Sequence, residues 1–273
     1  MDLLTALAVL VVGVGSGVLS GMFGVGGSVL TTPGIRALGA TPIEAIGSTI
    51  PAMLPGALSG AYRYARAGLV DWRIALTCGG LGSVCAIFGA NVSNEANAHF
   101  LLLLTAGLLL WSGLKNLRTP KSQRVVAMVG GGAVDTEVRL DELDDPDGEL
   151  DHPMGVVAAI GAGSGFLAGL LGVGGGVLMV PAFTGLLKLP AKKAVASSLV
   201  AVAMFSVPAM IRHAQLGHIS WTYALLLMIG VIPGAQIGAH LTIRGSEHRL
   251  RVLMGALFTV LALGYGAAEL RAL

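Results

Sequence analysis

The chain alternates between long apolar stretches and short polar interruptions. Apolar runs occupy roughly 3–30, 44–62, 74–92 and 98–114, and again roughly 154–180, 194–211, 221–243 and 250–268. A helix crosses the hydrocarbon core in about 20 residues, so most of these runs predict single membrane spans. The first run of each set is longer, and the glycine cluster inside it argues against one straight helix. Between the sets lies a polar stretch, 116–153, containing DDPDGELD, which predicts a linker outside the membrane. The pattern predicts an all-α polytopic membrane protein of about eight transmembrane helices. Its organisation is a first membrane unit over 1–115, the linker 116–153 and a second unit over 154–273.

Composition excludes the alternatives. Of the 273 residues, 54% are AVILMFWYC and only 12% are charged, with mean hydropathy +0.80. Soluble domains carry about 25% charged residues, so a soluble enzyme is excluded, and the apolar content excludes a disordered chain. The opening MDLLTALAVL has no Lys or Arg before its apolar run, unlike a secretory signal, and predicts a retained first membrane helix.

Charge is segregated. Of the 15 acidic residues, 9 fall between Asp135 and Asp151, and the rest of the chain outside 116–153 holds 13 Lys/Arg against 6 Asp/Glu. The membrane part is basic and the middle is an acidic insert. Basic loops usually reflect topology, so they point only weakly to an anionic cargo.

The two sets of runs are copies of one module. Residues 16–33, SGVLSGMFGVGGSVLTTP, align with 164–181, SGFLAGLLGVGGGVLMVP, at an offset of 148 that Pro42 and Pro190 keep. After one inserted residue the offset is 149: GSTI (47–50) falls on ASSL (196–199), Arg63 on Arg212, Gly68 on Gly217, Trp72 on Trp221, and GAN (89–91) on GAH (238–240). In the first half the basic residues cluster in the second loop (Arg63, Arg66, Arg73). In the second half they move to the first loop (Lys188, Lys192, Lys193) and the third (Arg244, Arg249, Arg251). That flip predicts inverted repeats. Inversion needs an odd number of crossings per half, which a re-entrant pass at 24–42 and 172–190 would supply.

Candidate chemistry follows the repeat. Gly24, Gly26 and Gly27, with Gly172, Gly174, Gly175 and Gly176, form adjacent clusters closed by Pro33 and Pro181. Glycine in a helix interior costs about 1 kcal/mol relative to alanine, and adjacent glycines before a proline favour an interrupted helix. An interruption exposes backbone N–H groups and a positive helix end, an anion site; paired breaks in two halves point to a transporter's substrate. Gly13, Gly17 and Gly21, echoed by Gly161, Gly165 and Gly169, form small-xxx-small stripes that predict close helix packing instead.

Hydroxyls come next: Ser48 and Thr49, matched by Ser197 and Ser198, are either donors to an oxyanion or local caps. Arg63 and Arg212 are either oxyanion forks or interfacial arginines that snorkel. Asn91 and His240 are polar groups inside apolar runs, joined by Gln236, and His240 is the candidate proton-coupling residue. Catalytic patterns are missing. GVGGSV and GVGGGV satisfy neither G-x-G-x-x-G nor a P-loop, and GVGSG and GAGSG do not fit G-x-S-x-G. His213 and His218 are five apart without the glutamate of a zincin. Cys78 and Cys85, seven apart, read as packing residues. Neither a metal site nor a cofactor is expected, nor is nucleic-acid binding; the expected partners are a small anion and the lipid bilayer.

The paired motifs GMFGVGGSVLTTP and GLLGVGGGVLMVP, each followed by an A-[IV]-[GA]-S-[TS] segment, resemble the sulfite exporter TauE/SafE family over nearly the whole chain except the linker. The resemblance implies a polytopic carrier of small sulfur-containing anions such as sulfite, sulfonates or thiosulfate in a prokaryotic cytoplasmic membrane. It maps the family motif onto Gly24, Gly26, Gly27 and Pro33, and onto Gly172, Gly174, Gly175, Gly176 and Pro181. Ser28 departs from the second copy's Gly176, so the two breaks need not be equivalent. The expectation is a secondary transporter working by alternating access, not an enzyme. The alternatives are an uncoupled anion channel and a membrane accessory subunit that binds a soluble partner through the acidic linker.

Overall fold

The computed structural model describes residues 2–96, 98–118, 128–129, 132–133 and 153–270. The acidic run 135–151 lies outside the described residues. Apart from a two-residue antiparallel pairing of Met128–Val129 with Gly132–Ala133, every described element is helical. In the first half these are α1 (Leu3–Phe23), α2 (Ser28–Ala37), α3 (Pro42–Arg66), α4 (Trp72–Glu95) and α5 (Ala98–Arg118). In the second they are α6 (Met154–Leu171), α7 (Gly176–Gly185), α8 (Ala191–Gln215), α9 (Trp221–Arg244) and α10 (Glu247–Leu270). The eight apolar runs thus become eight long helices plus two short ones, because the first run of each half is broken at its glycines. Five helices, α1, α4, α6, α8 and α9, are long and apolar enough to cross a membrane. Phe88, Leu225, Ile229 and Val260 stand exposed on outer faces, as lipid-facing side chains do.

Local chemistry sets the boundaries. Thr41 and Glu44 form a reciprocal capping box at the start of α3, with Pro42 at the first helical position. The Asp71 carboxylate accepts from the Ile74 N–H at 3.1 Å and starts α4. α1 ends where Gly24 turns left-handed and its N–H donates to the Ser20 carbonyl; Gly172 ends α6 in the same way on Ala168.

The glycine stripes fix the packing. A Cβ on Gly13, Gly17 or Gly21 would land on backbone of Leu227, Val231 or Ala235 in turn, and one on Gly230, Gly234 or Gly238 on backbone of Leu10, Val14 or Val18. Both series ascend together, so α1 and α9 run parallel with backbones touching. The symmetry-related pair behaves alike: Gly161 meets Cys78, Gly165 meets Gly82 and Gly169 meets Ala86, so α6 lies parallel on α4. Between helices in lipid there is no hydrophobic drive, and close backbone approach supplies dispersion attraction instead. Each half therefore embraces the other, the first helix of one lying against the third long helix of its partner.

Directions follow from these pairings. α3 runs with α9, since Gly56 meets Val231 and Arg63 meets His240. α8 runs with α4, since Gly79 meets Met204 and Asn91 meets Arg212. α3 and α8 are antiparallel, Gly60 lying against Leu199 and Gly47 against His218. Hence α1, α3 and α9 point one way and α4, α6 and α8 the other: the repeats are inverted. Because α1 and α3 are parallel, the chain must return between them, and the break with α2 is that return. Gly27 lies beside Ser16 and Gly34 beside Val12, so α2 folds back antiparallel on α1; α7 does the same on α6, with Gly175 beside Ser164 and Gly163 beside Leu178.

The same inversion collects the basic loops of both halves at one end. Lys192 donates to the Ile243 carbonyl, the Ala191 N–H donates to Glu247, and Arg63 meets His240. The ends of α3, α7 and α9 and the starts of α4, α8 and α10 therefore lie together.

Candidate functional site

The two breaks cross at the centre of the molecule. Gly24, Gly26 and Gly27 have φ of 73°, 83° and 92°, and Gly172, Gly174 and Gly175 have 63°, 81° and 61°. These left-handed conformations are open to glycine at little strain. Gly176 is different: it is the first residue of α7 and has no left-handed φ, but a Cβ on it would collide with the Gly24 carbonyl. A Cβ on Gly174 would collide with the Val25 carbonyl, and one on Gly26 would lie 3.6 Å from the Gly174 Cα. Met53 lies at 3.6 Å from the Gly26 position and Val202 closer still. Met53 and Val202 are equivalent residues, each the twelfth of 25 in α3 and α8, so the crossing lies on the pseudo-two-fold axis at half height.

This geometry defines α2 and α7. Each is a helix of 10 residues, about 15 Å long, that begins at the crossing and runs outward. In the first turn of α7 the Gly176 N–H donates to the Gly174 carbonyl at 2.6 Å and the Leu178 N–H to that of Gly175 at 3.0 Å, in that of α2 the Leu30 N–H reaches the Gly27 carbonyl at 3.4 Å, and no side chain caps either helix. Two positive helix ends thus face one buried point, an arrangement that attracts an anion.

The hydroxyls expected to serve that anion are otherwise engaged. Thr49 donates to the Ile46 carbonyl at 2.9 Å and reaches the Gly172 carbonyl at 3.4 Å; Ser198 donates to the Val195 carbonyl at 2.9 Å and reaches that of Gly24 at 3.1 Å. Each clamps the other half's break through its carbonyl, which leaves no hydrogen for an anion. Ser48 accepts from the Ser220 N–H at 2.8 Å and Ser197 from the Asp71 N–H at 2.9 Å, so both tie down the residue that opens the other half's third long helix. Thr49 and Ser198 are therefore brackets between the halves, and Ser48 and Ser197, which accept, hold the opposite helix starts while each keeps an O–H hydrogen to give.

Another set of hydroxyls is buried without partners. Ser20, Ser28, Thr32 and Ser164 are buried at no more than 1% exposure and have no hydrogen-bond partner. Ser20 lies beside Gly27, Ser28 opens α2, and Thr32 follows one turn later. Burial of a hydroxyl without a partner costs about 1–3 kcal/mol, so these hydroxyls are open to a polar ligand. The sequence signal was the comparison of halves: where the first has Ser20, Ser28 and Thr32, the second has Ala168, Gly176 and Val180.

The arginines do not converge on the crossing. Arg63 lies ten residues beyond Met53 and Arg212 ten beyond Val202, about 15 Å away in opposite directions. Arg63 Nη2 donates to His240 Nδ1 at 2.6 Å, while the Arg212 guanidinium donates to Asn91 Oδ1 and to Gln215 Oε1. The matched pair Asn91 and His240 is thus the matched partner set of the two arginines. At the basic end, Arg63, Arg66, Gln236, His240, Ser59 and Tyr62 line a cleft of about 480 Å³ between α3 and α9. Among the described residues no three His, Cys, Asp or Glu side chains gather closely enough to hold a metal ion.

Residues 9–265 match the family described as "Sulfite exporter TauE/SafE". Among curated proteins, the chain is 31% identical over 266 residues to a "Probable membrane transporter protein" of Xylella fastidiosa, covering 93% of this chain and 94% of the relative. It is 30% identical over 251 residues to the "Probable membrane transporter protein YunE" of Bacillus subtilis, covering 84% and 85%. No solved structure matches the chain at a significant level.

Proposed function

The chain belongs to the sulfite exporter TauE/SafE family, and from that premise we propose that it is a secondary transporter moving a small sulfur-containing oxyanion, of the sulfite, sulfonate or thiosulfate class, across the cytoplasmic membrane. The observation that carries the reading is the crossing of the breaks: two uncapped half-helix N-termini at half height, beside buried hydroxyls with no partner. Helix-end N–H groups and the Ser20, Ser28 and Thr32 hydroxyls replace the anion's hydration shell with fixed donors. A compact oxyanion needs several convergent donors and little apolar surface, which suits a site built from glycine backbone and short hydroxyls.

The inverted repeat supports alternating access as the mechanism. Each half can adopt the conformation its partner leaves, so closure at one end accompanies opening at the other. The hydroxyl brackets of Thr49 and Ser198 tie each break to the opposite half and would transmit that exchange. The basic end is assigned to the cytoplasm by the positive-inside rule, so the Arg63 cleft becomes the cytoplasmic approach and Arg212 guards the far side.

The test is sulfite flux in proteoliposomes containing the purified protein, with thiosulfate, a sulfonate, acetate and phosphate as competitors. Saturable flux, accelerated by sulfite on the opposite side and blocked only by sulfur oxyanions, supports the carrier. Non-saturable flux without counter-transport would replace it by an anion channel. No flux of any sulfur anion would refute the substrate class.

A further inference from the structure

At the end opposite the basic loops, the structure holds a buried histidine pair. His213, fully buried in the last turn of α8, and His218, 8% exposed in the turn after it, face each other with Nδ1 atoms 3.2 Å apart. Their outer nitrogens are also placed: His213 Nε2 lies 2.9 Å from the Gly169 carbonyl and His218 Nε2 3.2 Å from Asn94 Oδ1.

The proton positions follow from the partners. A carbonyl only accepts, so His213 carries its hydrogen on Nε2 and, when neutral, presents Nδ1 as an acceptor. His218 must then donate from Nδ1. Toward Asn94, His218 has two states. As a neutral ring it accepts from the amide nitrogen of Asn94; with one added proton it donates to Oδ1. The pair therefore takes up one proton with only a turn of the Asn94 amide. A second proton would set two imidazolium N–H groups against each other across the 3.2 Å gap and push the rings apart.

The repeat shows that this is a departure from the scaffold. The positions equivalent to His213 and His218 in the first half are Tyr64 and Leu69. Tyr64 donates to the Gly21 carbonyl at 2.8 Å, and Gly21 is the equivalent of Gly169. The same bracket is built without a titratable pair in one half and with one in the other. The pair also joins elements of both halves. Gly169 is three residues before the second break, Asn94 is at the end of α4, and the His218 backbone packs against Gly47 of α3.

We propose that His213 and His218 are the proton-binding site of the transport cycle, taking up one proton at the extracellular end. A second protonation releases the turn between α8 and α9 from α3, α4 and α6. This deepens the transporter reading and rests on it. It replaces the expectation for His240, whose Nδ1 accepts from the permanent cation Arg63 at the other end. At this end of the elements around the pair the charged groups are Arg212 on α8, which is held by Asn91 and Gln215, Glu95 at the end of α4 and Glu44 in the first turn of α3, while Lys192 and Lys193 of α8, Arg63 and Arg66 of α3 and Arg73 of α4 lie at the opposite end. α6 and the opening turns of α9 contribute no charged side chain. Burial holds His218 below the ordinary histidine range.

The test uses the repeat as its own template. The double variant H213Y/H218L gives the second half the residues of the first, and H218Q keeps a neutral partner for Asn94. Purified wild type, both variants and H240N are reconstituted, and sulfite accumulation is followed with an imposed pH gradient. With one proton coupled per anion, one pH unit sustains about a tenfold concentration ratio. Wild type is expected to show that ratio and H240N to reach it at whatever rate its altered cleft allows, while H213Y/H218L and H218Q exchange sulfite but do not accumulate it. Accumulation by both variants would overturn the proposal.

A second readout needs no transport. Because burial makes His218 hold a proton less readily than an unfolded histidine does, stability should be complete above the unfolded histidine value, about 6.5, and fall as pH drops below it. Thermal midpoints in detergent between pH 5 and 8 should show that fall in wild type and H240N and lose it in H213Y/H218L. An unchanged pH dependence in the double variant would overturn the protonation itself. Absence of sulfite flux in the wild type would count against the transporter reading and leave this second result to decide the pair.

Discussion

Replacing Gly174 by alanine separates the crossing of the breaks from ordinary backbone strain. With φ of +81°, an L side chain at Gly174 is strained by about 1–2 kcal/mol. Its Cβ would also strike the Val25 carbonyl and lie 3.3 Å from Met53 Sδ, so the breaks must part; overpacking of this kind adds about 1–3 kcal/mol. Gly68→Ala is the matched control, because Gly68 has φ of +70° and nothing within 4 Å of its Cβ. It carries the strain without the collision. At about 2–4 °C per kcal/mol, the thermal midpoint in detergent should fall by about 2–8 °C in G68A and about 4–20 °C in G174A. Sulfite flux per molecule of folded protein should stay near wild type in G68A. In G174A it should drop at least tenfold, since about 1.4 kcal/mol of extra barrier at the crossing already gives that factor. Wild-type flux in G174A would refute the reasoning, and so would an equal loss in G68A.

Three more substitutions test neighbouring claims. Ser28→Ala should raise the thermal midpoint slightly or leave it unchanged, because it removes a buried hydroxyl with no partner, yet weaken sulfite transport about tenfold in KM, the value of one hydrogen bond to a charged group; a lowered midpoint would show that Ser28 is structural. Thr49→Val and Ser198→Ala should each destabilise by about 1 kcal/mol through loss of a clamp on the opposite break, with competition among sulfur anions unchanged, and a changed anion preference would return these hydroxyls to the binding site. Gly17→Val should prevent accumulation of folded protein in the membrane, because its side chain would enter the backbone of Val231 and Ala235; normal yield by size-exclusion chromatography would contradict the packing of α1 on α9.

Much of the architecture was legible because lipid imposes few choices. Apolar runs must be helices, and a fixed offset of 148 or 149 between them must be a repeat. The charge flip pointed to the inversion, since loops of both halves sort to one face. What the sequence hid was which half each residue serves. Arg63 and His240 are 177 positions apart and Asn91 and Arg212 are 121 apart, and no periodicity reveals that equivalent residues trade partners across the axis. The role of the hydroxyls was hidden for a related reason. Ser48 and Ser197 sit near helix starts, where an anion donor and a local cap look alike, but their partners are the starts of helices in the other half. Three of the unpartnered hydroxyls, Ser20, Ser28 and Thr32, were legible by difference, as positions where one copy keeps a hydroxyl and the other does not, whereas Ser164 has Ser16 as its equivalent.

That difference bears on why a duplicated carrier should be imperfectly symmetric. A scaffold with two equivalent halves can exchange their conformations at little energetic difference, because each interaction broken in one half is remade in the other. Here the brackets obey that rule: Thr49 with Ser198, Ser48 with Ser197 and Arg63 with Arg212 keep equivalent partners. The residues that break it are the ones with chemistry to offer. Ser20, Ser28 and Thr32 are buried unpartnered hydroxyls in one half where the other has Ala168, Gly176 and Val180, and His213 with His218 replace Tyr64 with Leu69 at one end only. A symmetric pair of conformations has no preferred direction. A ligand or proton can bias such an equilibrium only through groups that differ between its two states. On the proposed mechanism, the departures from the repeat are therefore where substrate selection and energy coupling would reside, and the brackets common to both halves are what would let the halves exchange.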